Sequence, residues 1–298
     1  MNMAALRYSK RVCLRIGGIT LELAAVAPDM RIALGRDLGR FRVMEQDCDI
    51  HCTTEWADSI ETDTAKPLFE TGSLWRLLPH GYSGMKFEFA TPALGREPYR
   101  TAEVDADVSR VKIKLNRKYF SHETEQRPLE YPLDELLFIH RLVREGCGVE
   151  VHACGLVDKD SKGRLFIGHS GAGKSTTSRL WEAQGAFVLS DDRIILRMEK
   201  GELKMYGTPW HGDAKQSASA SANVHAIYLL EQAPHNRLSR MSPAETAIET
   251  FARSFLPFHG HAGIHAALTF LDTAFANVPA YRFEFLPDYS AVEHATRV

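Results

Sequence analysis

The chain has 298 residues, of which 44% are hydrophobic and 25% are charged, and its formal net charge at pH 7 is −2. This composition is typical of globular proteins with one large or two smaller domains, and the lack of a basic excess argues against a nucleic acid or a membrane surface as partner. Five irregularly spaced cysteines, no apolar run of about 18 residues and no signal-peptide pattern at the start lead us to expect a cytoplasmic location.

The first 120 residues have the pattern of a β-rich module. Residues 12–23 alternate between apolar and polar side chains around Gly17-Gly18, which predicts a hairpin. Further strands are predicted at 75–78, 85–90 and 111–115. We therefore expect a smaller β-rich module at 1–120 and a second domain at 121–298. The sequence leaves open whether the module binds substrate or assists homo-oligomerisation.

Two short groups of His and Cys have some of the composition of metal sites. They contain Cys48, His51 and Cys52 in the first module, and His259, His261 and His265 in the second domain. The first group is not joined by a second pair of ligands at zinc-site spacing. We interpret the first as a buried strand edge and the second as a glycine-rich link to a helix, with a metal site as the alternative for each.

A helix is predicted from Tyr131 to about Glu145, where apolar residues recur on one face and Gly146 ends the pattern. We interpret His140 on this helix as a surface or packed residue. A strand at 149–157 follows and contains His152, and the turn at 158–163 predicts a hairpin with the next strand.

The segment Gly168-His169-Ser170-Gly171-Ala172-Gly173-Lys174-Ser175-Thr176 contains the pattern G-x-x-x-x-G-K-[ST]. A predicted strand at 164–167 precedes it and a predicted helix at 175–184 follows, as a phosphate-binding loop requires. Its glycines permit positive φ angles, and its amides and the helix N-terminus attract phosphate. We expect these nine residues, which we call the phosphate loop, to bind a nucleotide, with Lys174 at the β- and γ-phosphates and Ser175 on Mg²⁺.

Two adjacent carboxylates, Asp191 and Asp192, follow the next predicted strand at 186–190. This is typical of a Walker B element, although an ordinary acidic turn after a strand is the alternative. Only one helix and one strand separate these residues from Lys174. The spacing therefore predicts that the two strands are neighbours in the sheet.

The phosphate loop followed by Leu189-Ser190-Asp191-Asp192, together with the preceding strand that contains His152, resembles HPr kinase/phosphorylase and its relatives. Phosphoenolpyruvate carboxykinase is a more distant relation. The resemblance covers roughly residues 130–290. It implies an α/β P-loop kinase domain of the HPr kinase and carboxykinase type with a mixed sheet, preceded by the smaller β-rich module, and the use of ATP and Mg²⁺.

The chain also departs from these families. The Glu-Ile-Arg-Gly-Leu-Gly signature of HPr kinases is absent, and residues 206–213 stand in its place. The Asp-Asp-Glu-His pattern of the carboxykinases is absent too, since Arg193-Ile194 follows Asp192. Neither HPr nor oxaloacetate is therefore expected as substrate. The chain is more similar to HPr-kinase-like proteins of bacterial biosynthetic clusters, some of which phosphorylate peptides.

Three residues near the phosphate loop, Asp191, Asp192 and His152, have expected roles in the site. The resemblance implies that Asp191 is the base facing the acceptor hydroxyl, and that Asp192 belongs to the Mg²⁺ shell beside Ser175. The hairpin register that pairs Val157 with Arg164 places His152 beside His169. His152 is then either a proton-sensitive group near the phosphates or a packed strand histidine.

Downstream, strands are predicted at 193–198, 203–206, 224–230 and 281–286, with helices at 268–276 and 290–296. Trp210-His211 forms either a ligand wall or a packed loop, and residues 217–222 form a flexible loop or a helix start. Ser242 caps a helix expected to carry Ile248, Phe251 and Phe255.

The motifs together favour an ATP-dependent kinase that transfers the γ-phosphoryl group to a hydroxyl of a peptide, a protein or a small metabolite. A non-catalytic nucleotide-binding regulator and a carboxykinase-type lyase are the alternatives. The second carboxylate favours the enzyme over the regulator, and no motif for binding a dicarboxylate supports the lyase.

Overall fold

The computed structural model describes residues 9–72, 74–120, 125–257 and 260–298. The chain forms two compact units. The first contains the described residues up to Arg15 together with Ile19–Arg141, and the second contains Ile16–Gly18 and Leu142–Val298. The described residues 125–141 thus belong to the first unit, whereas the sequence pattern assigned them to the second domain. One reason is that His140 is buried and contacts Phe87 edge-on, at 5.5 Å between ring centroids.

The first unit is dominated by β-strands. Its strands are β1 (Arg11–Ile16), β2 (Ile19–Ala25), β3 (Arg31–Ile32), β4 (Arg42–Val43), β5 (Ile50–Ala57), β6 (Phe69–Glu70), β7 (Trp75–His80), β8 (Gly84–Thr91), β9 (Gly95–Val104), β10 (Arg110–Asn116) and β11 (Glu125–Gln126). Its helices are α1 (Arg36–Gly39) and α2 (Arg117–Phe120), and the helix α3 (Leu133–Glu145) begins in this unit and ends in the second. Nine strands form one sheet in the order β4-β1-β2-β5-β10-β9-β8-β7-β6, and β3 pairs with β11.

The strands predicted in this unit are confirmed. The turn of the β1-β2 hairpin has φ angles of 58° at Gly17 and 75° at Gly18, which suits a tight hairpin turn. Along β5 the side chains alternate, so that Cys52 is buried and His51 is exposed on the other face. In the described parts of the chain, no group of three or more His, Cys, Asp or Glu side chains has the arrangement of a metal site.

The second unit combines strands and helices. Its strands are β12 (Gly148–Val157), β13 (Gly163–Ile167), β14 (Phe187–Ser190), β15 (Arg193–Glu199), β16 (Glu202–Gly207), β17 (Ser221–Gln232), β18 (Arg237–Arg240), β19 (Ser254–Phe255) and β20 (Ala280–Phe285). Its helices are α4 (Lys174–Glu182), α5 (Pro243–Phe251), α6 (His261–Phe275) and α7 (Tyr289–Ala295). The sheet order is β13-β12-β15-β16-β17-β20-β18, with β14 and β19 also on β12 and β13 parallel to β17. The unit is therefore a mixed α/β fold.

Strand β12 lies between the strand that precedes the phosphate loop and the strand that precedes the two aspartates. Its last three residues pair with β13 and also with β14, so these two partners occupy opposite edges. The expectation that β13 and β14 are neighbours is therefore wrong. The reason is that β12 is the hairpin partner of β13 and takes the edge that β14 would need.

The strand that leads into the phosphate loop is fixed by a buried arginine. Arg164 in β13 is 1% exposed, and its Nε donates to Asp158 Oδ2 at 2.7 Å. Its Nη1 donates to the carbonyl of Ala295 in α7 at 2.8 Å and also bonds the hydroxyl of Tyr228. Breaking the buried ion pair between Arg164 and Asp158 would leave an uncompensated charge, which is strongly destabilising. The pair therefore fixes the start of β13.

Several predictions in the second half of this unit need correction. Ser242 caps α5 in a capping box with Glu245, as predicted, but the helix ends at Phe251. Phe255 lies in β19, which pairs with β12, because tertiary strand pairing overrides the helical spacing. Residues 221–222 begin β17 and are therefore strand, neither loop nor helix start.

His261 and His265 lie one turn apart in α6, whereas His259 lies outside the described residues. Trp210 is 7% exposed, which favours the packed reading over a ligand wall. No helix in the described ranges combines the length and apolarity needed to cross a membrane.

Candidate functional site

The phosphate loop connects β13 to α4, as the sequence predicts. Gly171 and Gly173 have φ angles of 80° and 101°, a conformation that glycine tolerates best. A Cβ atom on Gly173 would lie 2.6 Å from Cζ of Phe285, whereas a Cβ on Gly171 would meet nothing within 4 Å. Gln232 at the end of β17 donates to the carbonyl of Gly171 at 2.9 Å. The loop therefore has a defined shape, supported by side chains of β17 and β20.

Lys174 is the first residue of α4 and is 6% exposed. Its ammonium donates to the carbonyls of Gly168 and His169, both at 3.1 Å, so it lies across the mouth of its own loop. Burial lowers the pKa of Lys174 from its ordinary value, although the charges of Asp191 and Asp192 act in the opposite direction. The ammonium group thus lies against the backbone of the loop that precedes it.

Asp191 follows β14 and is fully buried. Three backbone amides donate to its carboxylate: Gly212 at 3.1 Å, Ala214 at 2.8 Å and Gln216 at 3.3 Å. The hydroxyl oxygen of Ser175 lies 3.5 Å from Oδ2 of the same carboxylate. The carboxylate is therefore fixed from one side by the loop after β16 and faces the phosphate loop with the other.

The loop at 212–216 was not assigned this role from the sequence. Its contribution consists of backbone amides, which no side-chain pattern reveals. The one local signal is Gly212, because a Cβ there would lie 3.0 Å from Oδ2 of Asp191 and 3.1 Å from Cβ of Asp192. Gly212 thus permits the close approach of the loop to both aspartates.

Asp192 points toward β12 and pairs with His152. Nε2 of His152 and Oδ1 of Asp192 are 2.9 Å apart, and the two side chains are 21% and 24% exposed. Because an ionised carboxylate only accepts hydrogen bonds, Nε2 is the donor. Burial acts to raise the pKa of Asp192, but the hydrogen bond and charge of His152 and the neighbouring cations outweigh it, so this pKa lies below its ordinary value.

Arg193 and Phe255 surround this pair and were not identified as site residues from the sequence. Nε of Arg193 lies 3.4 Å from Oδ2 of Asp192, and its guanidinium lies over the ring of Phe255 at 4.5 Å from the centroid. The same ring lies 5.9 Å from that of His152. Arg193 could have been identified from the sequence because it directly follows the two aspartates. Phe255 lies in β19, far from them in the sequence, and no local pattern connects it to the site.

The structure brings together His152, the phosphate loop and both aspartates, but in a different arrangement from the one expected. In the observed register Val157 pairs with Gly163, one residue from the predicted partner. Consequently the amide of Gly168 donates to the carbonyl of His152 at 3.3 Å, and His169 is exposed with its ring turned to the carbonyl of Ser170. A slip of one residue moves a side chain to the other face of a strand, which explains the difference.

Ser175 was expected beside Asp192, whereas the structure gives it Asp191 as its carboxylate neighbour. His211 lies in the loop after β16, with Nδ1 3.1 Å from the carbonyl of Gly212.

Comparisons with known proteins add little to this geometry. No protein-family model matches the chain, and no curated protein is similar to it in sequence. Among solved structures, the chain is similar to the Hpr(Ser) kinase/phosphatase from Coxiella burnetii, with 18% sequence identity and a TM-score of 0.30 over 50% of this chain and 93% of that chain. An overlap this low defines neither a fold nor an activity.

Proposed function

We propose that the second unit is an ATP-dependent, Mg²⁺-dependent phosphotransferase that moves the γ-phosphoryl group to a hydroxyl of a peptide, a protein or a small metabolite. One observation carries the proposal: a phosphate loop whose Ser175 hydroxyl lies 3.5 Å from the buried carboxylate of Asp191, with a second carboxylate, Asp192, paired to His152 beside it. A simple phosphate-binding protein has no need of this second carboxylate.

The phosphate loop has the features that a nucleotide requires. Gly171 and Gly173 have positive φ angles, a conformation in which backbone amides can form a nest for an anion, and the N-terminus of α4 would add its partial positive charge. The ammonium group of Lys174 has three N–H donors, and two of them bond loop carbonyls. Phosphate oxygens would take the place of these carbonyls as acceptors. Phosphoryl transfer depends mainly on such positioning and on neutralising charge.

Ser175 and Asp191 would hold Mg²⁺. A hydroxyl and a carboxylate oxygen side by side are hard donors of the type that Mg²⁺ takes, with phosphate oxygens and water completing its shell. When bound, the ion would neutralise charge on the phosphates. Asp191 suits this task better than that of a base, because it is fully buried and three backbone amides already hold its oxygens.

Asp192 is the better candidate for the residue that faces the acceptor. It is partly exposed, and His152 fixes the direction of its carboxylate through Oδ1. In the proposed step the acceptor oxygen attacks the γ-phosphorus, the bond to the β,γ-bridging oxygen breaks and ADP leaves. The hydroxyl proton passes to Asp192, and His152 acts as the positioning residue. This assignment exchanges the roles of the two aspartates that the resemblance implied.

ATP turnover by the purified full chain tests the proposal. With Mg²⁺ and a panel of peptide and small-molecule hydroxyl acceptors, Lys174→Ala is expected to reduce transfer by on the order of 10²–10³, as for loss of a preorganised charge at a transferring phosphoryl group. Lys159→Ala, at an exposed turn of the same unit, is the charge-matched control. Equal turnover in parent and Lys174→Ala would refute the site. Nucleotide binding that needs Lys174, without transfer to any acceptor, would favour a non-catalytic regulator.

A further inference from the structure

The first unit contains a cavity of about 790 Å³, and the residues that line it all belong to that unit. It lies among β1, β9, β10 and the segments around α1 and β11. Six charged side chains line it: Arg36, Arg42, Arg100, Arg127, Glu125 and Glu130. A cavity of a few hundred to about a thousand Å³ has the usual size of a small-molecule site.

Arg100 is the most unusual of these side chains. It is 3% exposed, its Nη1 donates to the carbonyl of Pro128 at 3.1 Å, and its guanidinium lies 4.3 Å from the centroid of the Phe89 ring. Its Nε is buried without a hydrogen-bond partner. Burial lowers the pKa of Arg100, although the charges of Tyr99, Asp134 and Glu130 act in the opposite direction. A buried donor without a partner is costly for a protein to keep, so it indicates a group that arrives from outside.

The charges around the cavity indicate the chemical class of a ligand that would fit it. Four arginines face two glutamates, which leaves an excess of two positive charges. Tyr99, Leu115 and Phe120 supply apolar and aromatic wall beside these charges. A guanidinium presents a planar fork of donors that matches a carboxylate or a phosphate.

We propose that this cavity binds a small organic dianion, a phosphate monoester or a dicarboxylate, whose charged group meets Arg100 and whose carbon body lies against the aromatic wall. This binding site is independent of the phosphotransferase site, because it uses none of the same residues. The first unit then has a ligand of its own.

Isothermal titration calorimetry on the full chain, at low and at physiological salt, tests the proposal with four probes. Phenyl phosphate and phthalate represent the two kinds of dianion, benzyl alcohol is the neutral aromatic control, and inorganic phosphate is the control without a carbon body. At least one aromatic dianion is expected to bind, and to bind more tightly than inorganic phosphate. The neutral probe is expected not to bind.

Three variants locate the binding. Arg100→Met is expected to weaken it by about ten- to a hundredfold, since a charge-assisted hydrogen bond is lost. Arg36→Gln, at the exposed rim, is expected to weaken it by at most about fivefold. Arg110→Gln removes an exposed charge of the same unit outside the cavity and is expected to change nothing.

Thermal unfolding without probe separates a ligand role from a structural one. If the unpartnered Nε of Arg100 serves a ligand, Arg100→Met keeps or raises the melting temperature, because a buried donor without a partner is removed. If Arg100→Met does not fold, Arg100→Lys retains the charge without the fork and is expected to bind more weakly than the parent. No dianion binding to the parent at millimolar concentration, or equal binding by parent and Arg100 variants, would overturn the proposal.

Discussion

The shape of the phosphate loop depends on the absence of a side chain at one position, and Gly173→Ala tests this. Gly173 caps α4 with φ 101° and ψ 16°, and a Cβ there would lie 2.6 Å from Cζ of Phe285. The left-handed conformation costs a residue with a Cβ about 1–2 kcal/mol. Forcing an additional methyl group into a packed site costs about 1–3 kcal/mol. We therefore expect Gly173→Ala to lower the free energy of unfolding of the second unit by about 2–5 kcal/mol.

Gly171→Ala is the matched control within the same loop. Its φ of 80° carries the same conformational cost, but a Cβ there meets nothing within 4 Å. The expected loss is therefore only about 1–2 kcal/mol. Combining Gly173→Ala with Phe285→Leu removes the ring atom that clashes, so the losses of the two single variants are expected to be less than additive.

Urea unfolding followed by tryptophan fluorescence measures these differences. Replacing Trp56 and Trp75 by Phe leaves Trp181 and Trp210, which both belong to the second unit, as reporters. Equal losses for the Gly173 and Gly171 variants would show that the ring of Phe285 does not restrict the loop. Strict additivity with Phe285→Leu would lead to the same conclusion.

Three further predictions concern the second unit. Asp191→Asn is expected to raise the Mg²⁺ concentration needed for half-maximal transfer. Asp192→Asn is expected to lower the rate of transfer by on the order of 10²–10⁴, with little change in the affinity for Mg·ATP. Titrations of Mg²⁺ and ATP that give the reverse would restore the roles implied by the resemblance. Burial acts to raise the pKa of Asp158, but its bonds to Arg164 and to nearby amides outweigh burial, so this pKa is lowered. The ionised carboxylate therefore stabilises the folded state at neutral pH, and this stabilisation is lost as the pH falls below 3.8, the pKa in the unfolded chain. Asp158→Asn should then cost about 3–5 kcal/mol at pH 7, and progressively less below pH 3.8 in urea titrations at each pH. Ser242→Ala should cost about 1 kcal/mol in the same assay, because it removes the capping box of α5, and an unchanged midpoint would contradict that reading.

The parts of this fold that could be predicted are those with a local cause. The Gly17-Gly18 turn, the capping box at Ser242 and the glycine pattern of the phosphate loop each specify backbone geometry within a few residues. For the same reason the loop helix and the strand before it were found at nearly their observed bounds. Phe255 shows the limit of such reasoning, because its spacing fits the face of α5 while strand pairing with β12 decides its conformation.

The arrangement of the site could not be predicted because it depends on contacts between distant segments. The carboxylate of Asp191 is oriented by amides that lie more than 20 residues further along the chain. Those amides belong to a loop without a recognisable side-chain pattern. The register of the hairpin before the loop was predicted one residue away from the observed one, since the turn at 158–163 does not by itself fix which residues pair.

Strand β12 gives a physical reason for the different environments of the two aspartates. At His152 and Ala153 it meets the start of the phosphate loop on one edge, where Gly168 donates to the carbonyl of His152. On the other edge the amide of Ala153 donates to the carbonyl of Asp192 at 2.9 Å. This bond anchors Asp192 to β12, where its side chain reaches His152, while the side chain of Asp191 is turned toward Ser175. Asp191 and Asp192 lie in a bend between β14 and β15, so these two adjacent residues present their side chains to different neighbours. Both β14 and β15 pair with β12, and the pair Asp191-Asp192 lies where the chain passes from β14 to β15. This position allows the two aspartates to serve two parts of the site.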